Sequence, residues 1–250
     1  MLTVLEDAYV AARLRWGILK WMRMWQTIRA SALGRHVHEE AYAALVLSGG
    51  YEEAGDHGRF RVEAGDVIFH EQFEGHLDRF SESGAVVLNL RLPVGRFFTT
   101  GMARVADPDW VARVAERSRR EAAELLFSAV RSESRHAADW PDELAAALEK
   151  NSSLKLSQWG EQNGIAPWTV SRGFALVFGV SPEAFRARAR ARRAWKLIRE
   201  TPMPLARIAA DLGFADQSHM TRSIQRLTGI GPGEWRSAAN GFKTRRKDGM

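Results

Sequence analysis

This chain has 250 residues, enough for one large or two modest domains, and it contains no cysteine, which excludes disulfides and thiolate metal sites. Its formal net charge of +6 is unevenly divided, because residues 151–250 hold 17 Lys and Arg against 7 Asp and Glu, whereas residues 1–150 hold 19 against 23. A basic half joined to an acidic half indicates a polyanionic partner for the C-terminal end only.

The N-terminal residues show no signal-peptide pattern, and the chain contains no long uninterrupted apolar run of the kind that spans a membrane. Residues 16–28 come closest, but Lys20, Arg23 and Gln26 interrupt them. A chain with these features and no cysteine is expected in the reducing cytoplasm, with no membrane partner.

Residues 1–15 are predicted to form a short helix, and residues 16–92 short strands separated by glycine turns. An apolar run from Tyr42 is predicted to end at Gly49-Gly50, and Gly65-Asp66 is predicted to make a tight turn. Several short strands without helices between them predict an all-β barrel or sandwich.

From Asp107 onward the apolar period becomes helical. One long helix is predicted over residues 108–130, with Asp107 as N-cap and Pro108 in the first turn, and a second over residues 142–150. The long helix carries an apolar stripe rich in Ala and Leu. Two interpretations of this stripe stay open, packing against the chain's own domains or a seam between two copies of the chain.

The last hundred residues contain an imperfect internal repeat. One copy, the first head, runs from Leu156 to Arg186, and the other, the second head, runs from Leu205 to Arg236. Each copy has a short apolar-periodic helix, a glycine turn and a second helix that carries an arginine, which is the helix-turn-helix pattern. One continuous helix over residues 182–200, with Ser181 as N-cap, is predicted to join the two heads.

The second helix of each head is predicted to contact DNA. In the first head, Val170 and Phe174 face the core, which leaves these exposed: Trp168, Thr169, Ser171 and Arg172. In the second head, the predicted DNA-reading residues are Gln217, Ser218, His219, Thr221 and Arg222. Arginine suits guanine, glutamine suits adenine, and hydroxyls suit bases or phosphates. His219 has a second interpretation, as a capping or packing residue. Six further arginines are candidates for phosphate contacts: Arg186, Arg188, Arg190, Arg192, Arg193 and Arg226.

These motifs resemble a known family. The pattern consists of Gly213-Phe214, Gln217-Ser218-His219, Arg222 and Thr228-Gly229 with Pro232. It is similar to the C-terminal signature of AraC/XylS-type transcriptional regulators, and the resemblance extends from Leu154 to Arg236. It implies contacts to bases and phosphates at Trp168 and Arg172. It also implies double-stranded DNA as partner and a small-molecule effector for the N-terminal half. A contact with RNA polymerase and a homodimer stay open.

The N-terminal half resembles a cupin, with a first motif from Gly34 to His38 and a second from Gly65 to His76. His36 and His38 lie two apart on a strand and would point to the same face, where His76 could complete a three-histidine site for a divalent metal. The glutamate of metal cupins is absent, since Tyr42 and Ala43 occupy its spacing. His70 could substitute, as could Glu39 or Glu40. The alternatives are a metal site, a polar ligand pocket without metal, or purely structural histidines.

Together these patterns predict an α+β multidomain protein. A cupin-like β-barrel sensor is expected over residues 1–100, a helical linker with a possible dimerisation role over 101–150, and an all-α double helix-turn-helix domain with a basic tail over 151–250. The predicted function is sequence-specific transcriptional regulation without catalysis, because no phosphate loop, acid/base pair or nucleophile motif is evident. A cupin-type metalloenzyme fused to a DNA-binding domain is the alternative, and a constitutive architectural DNA binder is a third.

Overall fold

A computed structural model of the chain describes residues 18–19, 24–92, 101–132, 139–151 and 153–238. The helix predicted over residues 1–15 and the basic tail lie outside these residues. The described strands are β1 (Ile18–Leu19), β2 (Trp25–Ile28), β3 (Ala32–His38), β4 (Tyr42–Gly55), β5 (Gly58–Glu63), β6 (Asp66–His70), β7 (Gly75–Arg91), β8 (Gly101–Val105) and β9 (Val130–Ser132).

All nine described strands belong to one sheet, in the order β1-β3-β7-β4-β6-β8-β9, with β2 paired to β7 and β5 to β4. Every pair is antiparallel except β1 with β3. Among the described residues no pairing joins β1 to β9, so the closed barrel predicted from the cupin motifs is not seen. The sheet also continues past residue 100, where the first domain was predicted to end, because β8 and β9 extend it.

Two strands are much longer than the sequence predicts. The apolar run from Tyr42 does not end at Gly49-Gly50, because β4 continues to Gly55 with a register shift at these glycines. Gly49 adopts φ +71°, and a Cβ there would collide with the carbonyl oxygen of Gly84 in β7, itself at φ +69°. Only glycine allows this bend with so close an approach of two backbones.

The helix predicted over residues 108–130 is two helices, α1 (Pro108–Arg117) and α2 (Arg119–Ala129). Ser118 separates the two helices, because its backbone is extended, with φ −151° and ψ 105°. The predicted N-cap is confirmed, because the Asp107 carboxylate accepts from the backbone N–H of Trp110 at 2.8 Å. Their apolar stripe packs on the sheet, where Val111 and Leu126 share one core with Leu88 and other sheet residues. This face is therefore covered within the chain.

Helices make up the rest of the described chain: α3 (Trp140–Lys150), α4 (Leu156–Gln162), α5 (Pro167–Phe178), α6 (Pro182–Glu200), α7 (Leu205–Asp211) and α8 (Gln217–Thr228), followed by a helical turn at residues 232–238. The predictions of α6 and its N-cap are confirmed, since the Ser181 hydroxyl accepts from the Ala184 N–H at 3.2 Å. Among the described residues, none of these helices has the length and apolarity to cross a membrane.

The two heads have separate cores with different neighbours. The main core of the second head is built from α6, α7 and α8. A smaller cluster, with Leu227 of α8 and Trp195 of α6, also contains Phe73, which lies between β6 and β7. The core of the first head combines Val170 and Phe174 with Leu144 of α3 and with Ala54 and Leu77 of the sheet. The first head is therefore packed directly on the sheet half of the molecule, which comprises β1 to β9 with α1 and α2.

Candidate DNA interface and histidine cavity

In the first head, α5 begins at Pro167, where a missing N–H costs no helical hydrogen bond. Val170 and Phe174 are fully buried, as predicted. The opposite face is free: Trp168 is 71% exposed, Ser171 and Arg172 are exposed and Thr169 is half-buried. The four predicted DNA-reading residues of this head thus lie in the N-terminal half of α5, on the face opposite its buried side.

The second head repeats this arrangement in α8. Asp216 is its N-cap, as predicted, and its carboxylate accepts from the backbone N–H of His219 at 2.6 Å. Gln217, Ser218 and Arg222 are exposed, and Thr221 is half-buried. The ring of His219 instead lies edge-on to that of Phe214, with centroids 5.4 Å apart. Its Nδ1 also lies 3.5 Å from the backbone nitrogen of Ala215, so His219 makes local contacts of the capping or packing kind, and its contact with DNA stays a prediction.

The structure places the six arginines that were predicted to contact phosphates in different surroundings. Arg192 is buried, so the prediction for this residue is wrong. Arg186, Arg190 and Arg193 donate to the backbone carbonyls of Leu154, Gly213 and Glu149 respectively, so they brace the fold. Arg226 of α8 is exposed, whereas Arg188 is half-buried against the sheet half. The burial of Arg192 was readable from the sequence, because Phe185, Ala189 and Arg192 follow the helical spacing of one face.

Arg192 joins the two halves of the molecule through Asp56, in the turn between β4 and β5. Its guanidinium donates to Asp56 Oδ2 at 3.0 Å and lies 2.8 Å from His57 Nε2. Arg35 of β3 pairs with the other oxygen of Asp56 and also donates to the carbonyl of Phe178, at the end of α5, at 3.1 Å. Burial alone would raise the pKa of Asp56, but the charges of Arg35 and Arg192 hold it at about 2.

The five residues predicted as ligand or metal candidates meet in one cavity of about 40 Å³ in the sheet half. They are His36, His38, Tyr42, His70 and His76, all buried. The rings of His36 and His76 lie 4.3 Å apart between centroids, and Tyr42 Oη lies 3.3 Å from His76 Nε2. Glu39 and Glu40 are not among the lining residues.

Two acidic residues in this cavity escaped the sequence analysis. Glu53 Oε2 lies 3.5 Å from His70 Nε2, and Asp78 Oδ2 lies 3.9 Å from His76 Nε2. Asp78 was detectable, since it follows His76 by two residues on one strand and so shares its face. Glu53 was hidden by the expectation that β4 ends at Gly49-Gly50. Ligand atoms of two overlapping groups lie within 4.8 Å of one another, His36 with His38 and His76, and Glu53 with His70 and His76.

Burial controls the ionisation of this cluster. It lowers the pKa of His38 to about 3, and lowers the pKa values of His36, His70 and His76 as well. It raises the pKa of Asp78 to about 8 and the pKa of Glu53 above its ordinary value. At neutral pH the imidazoles are therefore uncharged, with lone pairs available to a cation or a hydrogen-bond donor.

The similarity to known protein families lies in the helical half of the chain, which comprises α3 to α8 and the turn at residues 232–238. Residues 159–238 match the protein family described as "Helix-turn-helix domain". The virulence regulon transcriptional activator VirF of Yersinia enterocolitica is 32% identical over 115 residues, which are 45% of this chain and 41% of that protein. The HTH-type transcriptional regulator ExsA of Pseudomonas aeruginosa is 33% identical over 111 residues, 43% of this chain and 38% of that protein. The chain thus spans about two fifths of the length of these curated relatives.

A crystal structure of ToxT from Vibrio cholerae with bound unsaturated fatty acid aligns with 84% of this chain and 92% of its own. The identity is 10% and the TM-score 0.40, a likeness too small to support an inference about the sheet half.

Proposed function

We propose that this chain, whose residues 159–238 form an AraC-type helix-turn-helix domain, is a transcriptional regulator that binds double-stranded DNA through both heads. One observation carries the proposal. Arg172 and Arg222 are each the sixth residue of their helix, α5 and α8, and both are exposed. A helix that presents such residues in its N-terminal half is suited to the major groove.

The spacing of the heads sets the form of the DNA site. α6 has 19 residues, which gives about 28 Å at about 1.5 Å per residue. Heads held at that distance on one face of a duplex would read segments about 10 bp apart. Because the exposed residues of α5 and α8 differ, we propose a non-palindromic site with two unlike segments.

The sheet half is proposed to be a sensor that binds an effector in its histidine cavity. The cavity is polar and buried, and its wall includes residues adjacent in sequence to the interface with the helices. His36 follows Arg35, and His76 follows Gly75, whose N–H donates to Asp56 at 2.9 Å. A change of shape in the cavity would therefore act on the contact between Asp56 and Arg192. No catalytic activity is proposed.

The test is selection of a DNA sequence by the purified full chain, followed by footprinting. Arg172→Ala and Arg222→Ala should each weaken binding by about 1–3 kcal/mol and erase protection in a different segment. Arg61→Ala is the control, since Arg61 is an equally charged, exposed residue of β5 in the sheet half. If neither head variant differs from Arg61→Ala, the proposed interface is wrong.

A further inference from the structure

We propose that the histidine cavity binds one divalent transition-metal ion through His36, His38 and His76. Glu53 belongs to the overlapping group with His70 and His76 and offers a carboxylate to the same cavity. This names the effector class for the sensor, so its regulatory meaning rests on the proposed function. The ion-binding claim itself concerns only the sheet half and can be tested without DNA.

The donor geometry suits such an ion. The three imidazoles offer nitrogens within 4.8 Å of one another. Bonds of about 2.0–2.1 Å to one ion would bring these nitrogens to roughly 3.3 Å from one another. His36 Nδ1 lies 2.9 Å from the carbonyl oxygen of Gly34. A proton on Nδ1 donated to that carbonyl leaves Nε2 as the ligand, an orientation that metal-binding histidines commonly use.

Unsatisfied polar atoms mark the same place. Among the described residues, His70 Nδ1, His76 Nδ1, Glu53 Oε1 and Asp78 Oδ1 are buried without a hydrogen-bond partner. A buried polar atom that is left unpaired destabilises the fold. Four of them around one cavity indicate that a bound group completes their coordination or hydrogen bonding.

Charge and size then select the class of ligand. Glu53 and Asp78 offer oxygen donors to the cavity, whereas no Lys or Arg is among its described lining residues, so a cation suits it better than an anion. The volume of about 40 Å³ accommodates about three water-sized groups, at about 10–15 Å³ each. An ion with one or two waters fits, whereas the pockets that hold drug-sized organic ligands usually measure about 300 Å³ or more. Imidazole donors favour zinc, iron, cobalt, nickel or copper over magnesium or calcium.

The site is also connected to the DNA-binding half. His70 and His76 flank residues 71–74, which dock on α6: Glu71 pairs with Lys196, and Gln72 Oε1 accepts from Arg199 at 3.0 Å. Phe73, which lies within this segment, adopts φ +59°, a conformation unusual for a residue with a side chain. Its ring packs edge-on against two tryptophan rings, Trp195 at 5.2 Å and Trp235 at 5.9 Å. An ion bound to His76 would therefore reposition a segment that contacts α6 and the second head.

The experiment uses the chelator-treated full chain titrated with Co²⁺, followed by calorimetry and visible absorption. We expect one Co²⁺ per chain with the absorption of a nitrogen-rich, low-coordinate site. His76→Ala and the size-preserving His38→Gln should bind Co²⁺ about 100-fold more weakly or worse. His219→Asn, outside the cavity, should bind it unchanged, and circular dichroism identifies any variant that fails to fold.

Absence of stoichiometric binding by the folded chain, or equal binding by His38→Gln, would overturn the metal site. DNA affinity is measured on the same samples with and without Co²⁺. DNA binding without Co²⁺ binding refutes this inference alone, and Co²⁺ binding without DNA binding refutes the proposed function alone. If both occur and Co²⁺ leaves DNA affinity unchanged, the ion is not the effector.

Discussion

Asp56 is the residue that holds two buried guanidinium groups, one from each half of the molecule. Arg35 and Arg192 are nearly inaccessible to solvent, and both pair with its carboxylate. Asp56→Asn would leave Arg35 without this carboxylate and Arg192 with Glu149, at 3.5 Å, as its remaining ion pair. We expect it to destabilise the protein by about 3–5 kcal/mol, measured by urea unfolding at neutral pH.

Lowering the pH should cause part of the same loss of stability. The pKa of Asp56 lies at about 2, below its ordinary value of 3.8, so its stabilisation is complete above pH 3.8 and disappears as the pH falls toward 2. The difference in stability between the native chain and Asp56→Asn should therefore shrink across this window. Asp211→Asn, which removes a more exposed pair with Arg207, is the matched control and should change stability by less than about 1 kcal/mol. A difference that stays constant with pH would contradict the assignment.

Gly173 lies where the helices α3 and α5 approach each other closely. It lies within α5, and a Cβ there would come within 2.6 Å of Trp140 Cζ2 in α3. Alanine improves helix propensity by about 1 kcal/mol, but the collision should outweigh this gain and destabilise the protein by about 1–3 kcal/mol. Chemical unfolding measures the change.

Two further variants isolate the cause. Adding Trp140→Phe, which removes the outer ring atoms, should recover part of the stability lost in Gly173→Ala. Gly233→Ala, in the helical turn at residues 232–238, meets no heavy atom within 4 Å and should be neutral or stabilising. If Gly173→Ala is as well tolerated as Gly233→Ala, the close approach of α3 and α5 is wrong.

The elements that the sequence predicts well are those with local signals. α6 begins after a serine cap with proline at its start and ends before Pro202, so both bounds could be read directly. The break at Ser118 has a local signal that the sequence analysis missed. Ser118 stands three residues before Glu121, the pattern of a helix start, and its hydroxyl accepts from the Glu121 N–H at 3.3 Å. The lengths of β4 and β7 were missed for a different reason. Glycine indicates a turn in isolation, yet here it allows two long strands to bend past each other.

At the scale of the whole molecule, the two halves are less separable than the sequence indicates. The charge division at residue 150 indicates a domain boundary, but α3 ends at Lys150 and contributes Leu144 and Leu148 to the core of the first head. Long-range packing of this kind leaves no local trace in a sequence. The contacts of Arg192 with Asp56 and His57 likewise leave no local trace in the sequence.

Two fragments test this organisation. A fragment of residues 139–250 retains α3, whereas one of residues 151–250 lacks it and exposes the core around Val170 and Phe174. We expect the longer fragment to melt several degrees higher and to bind DNA more tightly, with a steep dependence on salt because the segment is basic. Thermal circular dichroism and binding at two salt concentrations measure both effects. Equal melting temperatures would show that α3 is dispensable to the first head.

The buried pair of Asp56 and Arg192 also limits how this architecture can be recombined. A chimera that joins this sheet half to the helical half of a relative inherits Asp56 without any assurance of an arginine at position 192. Such a hybrid would have a carboxylate enclosed beside Arg35 alone, and its two parts would fit poorly even if each were intact. Exchange of sheet halves among proteins of this kind therefore requires co-inheritance of the contact residues, with the junction placed after Arg192 rather than before α6.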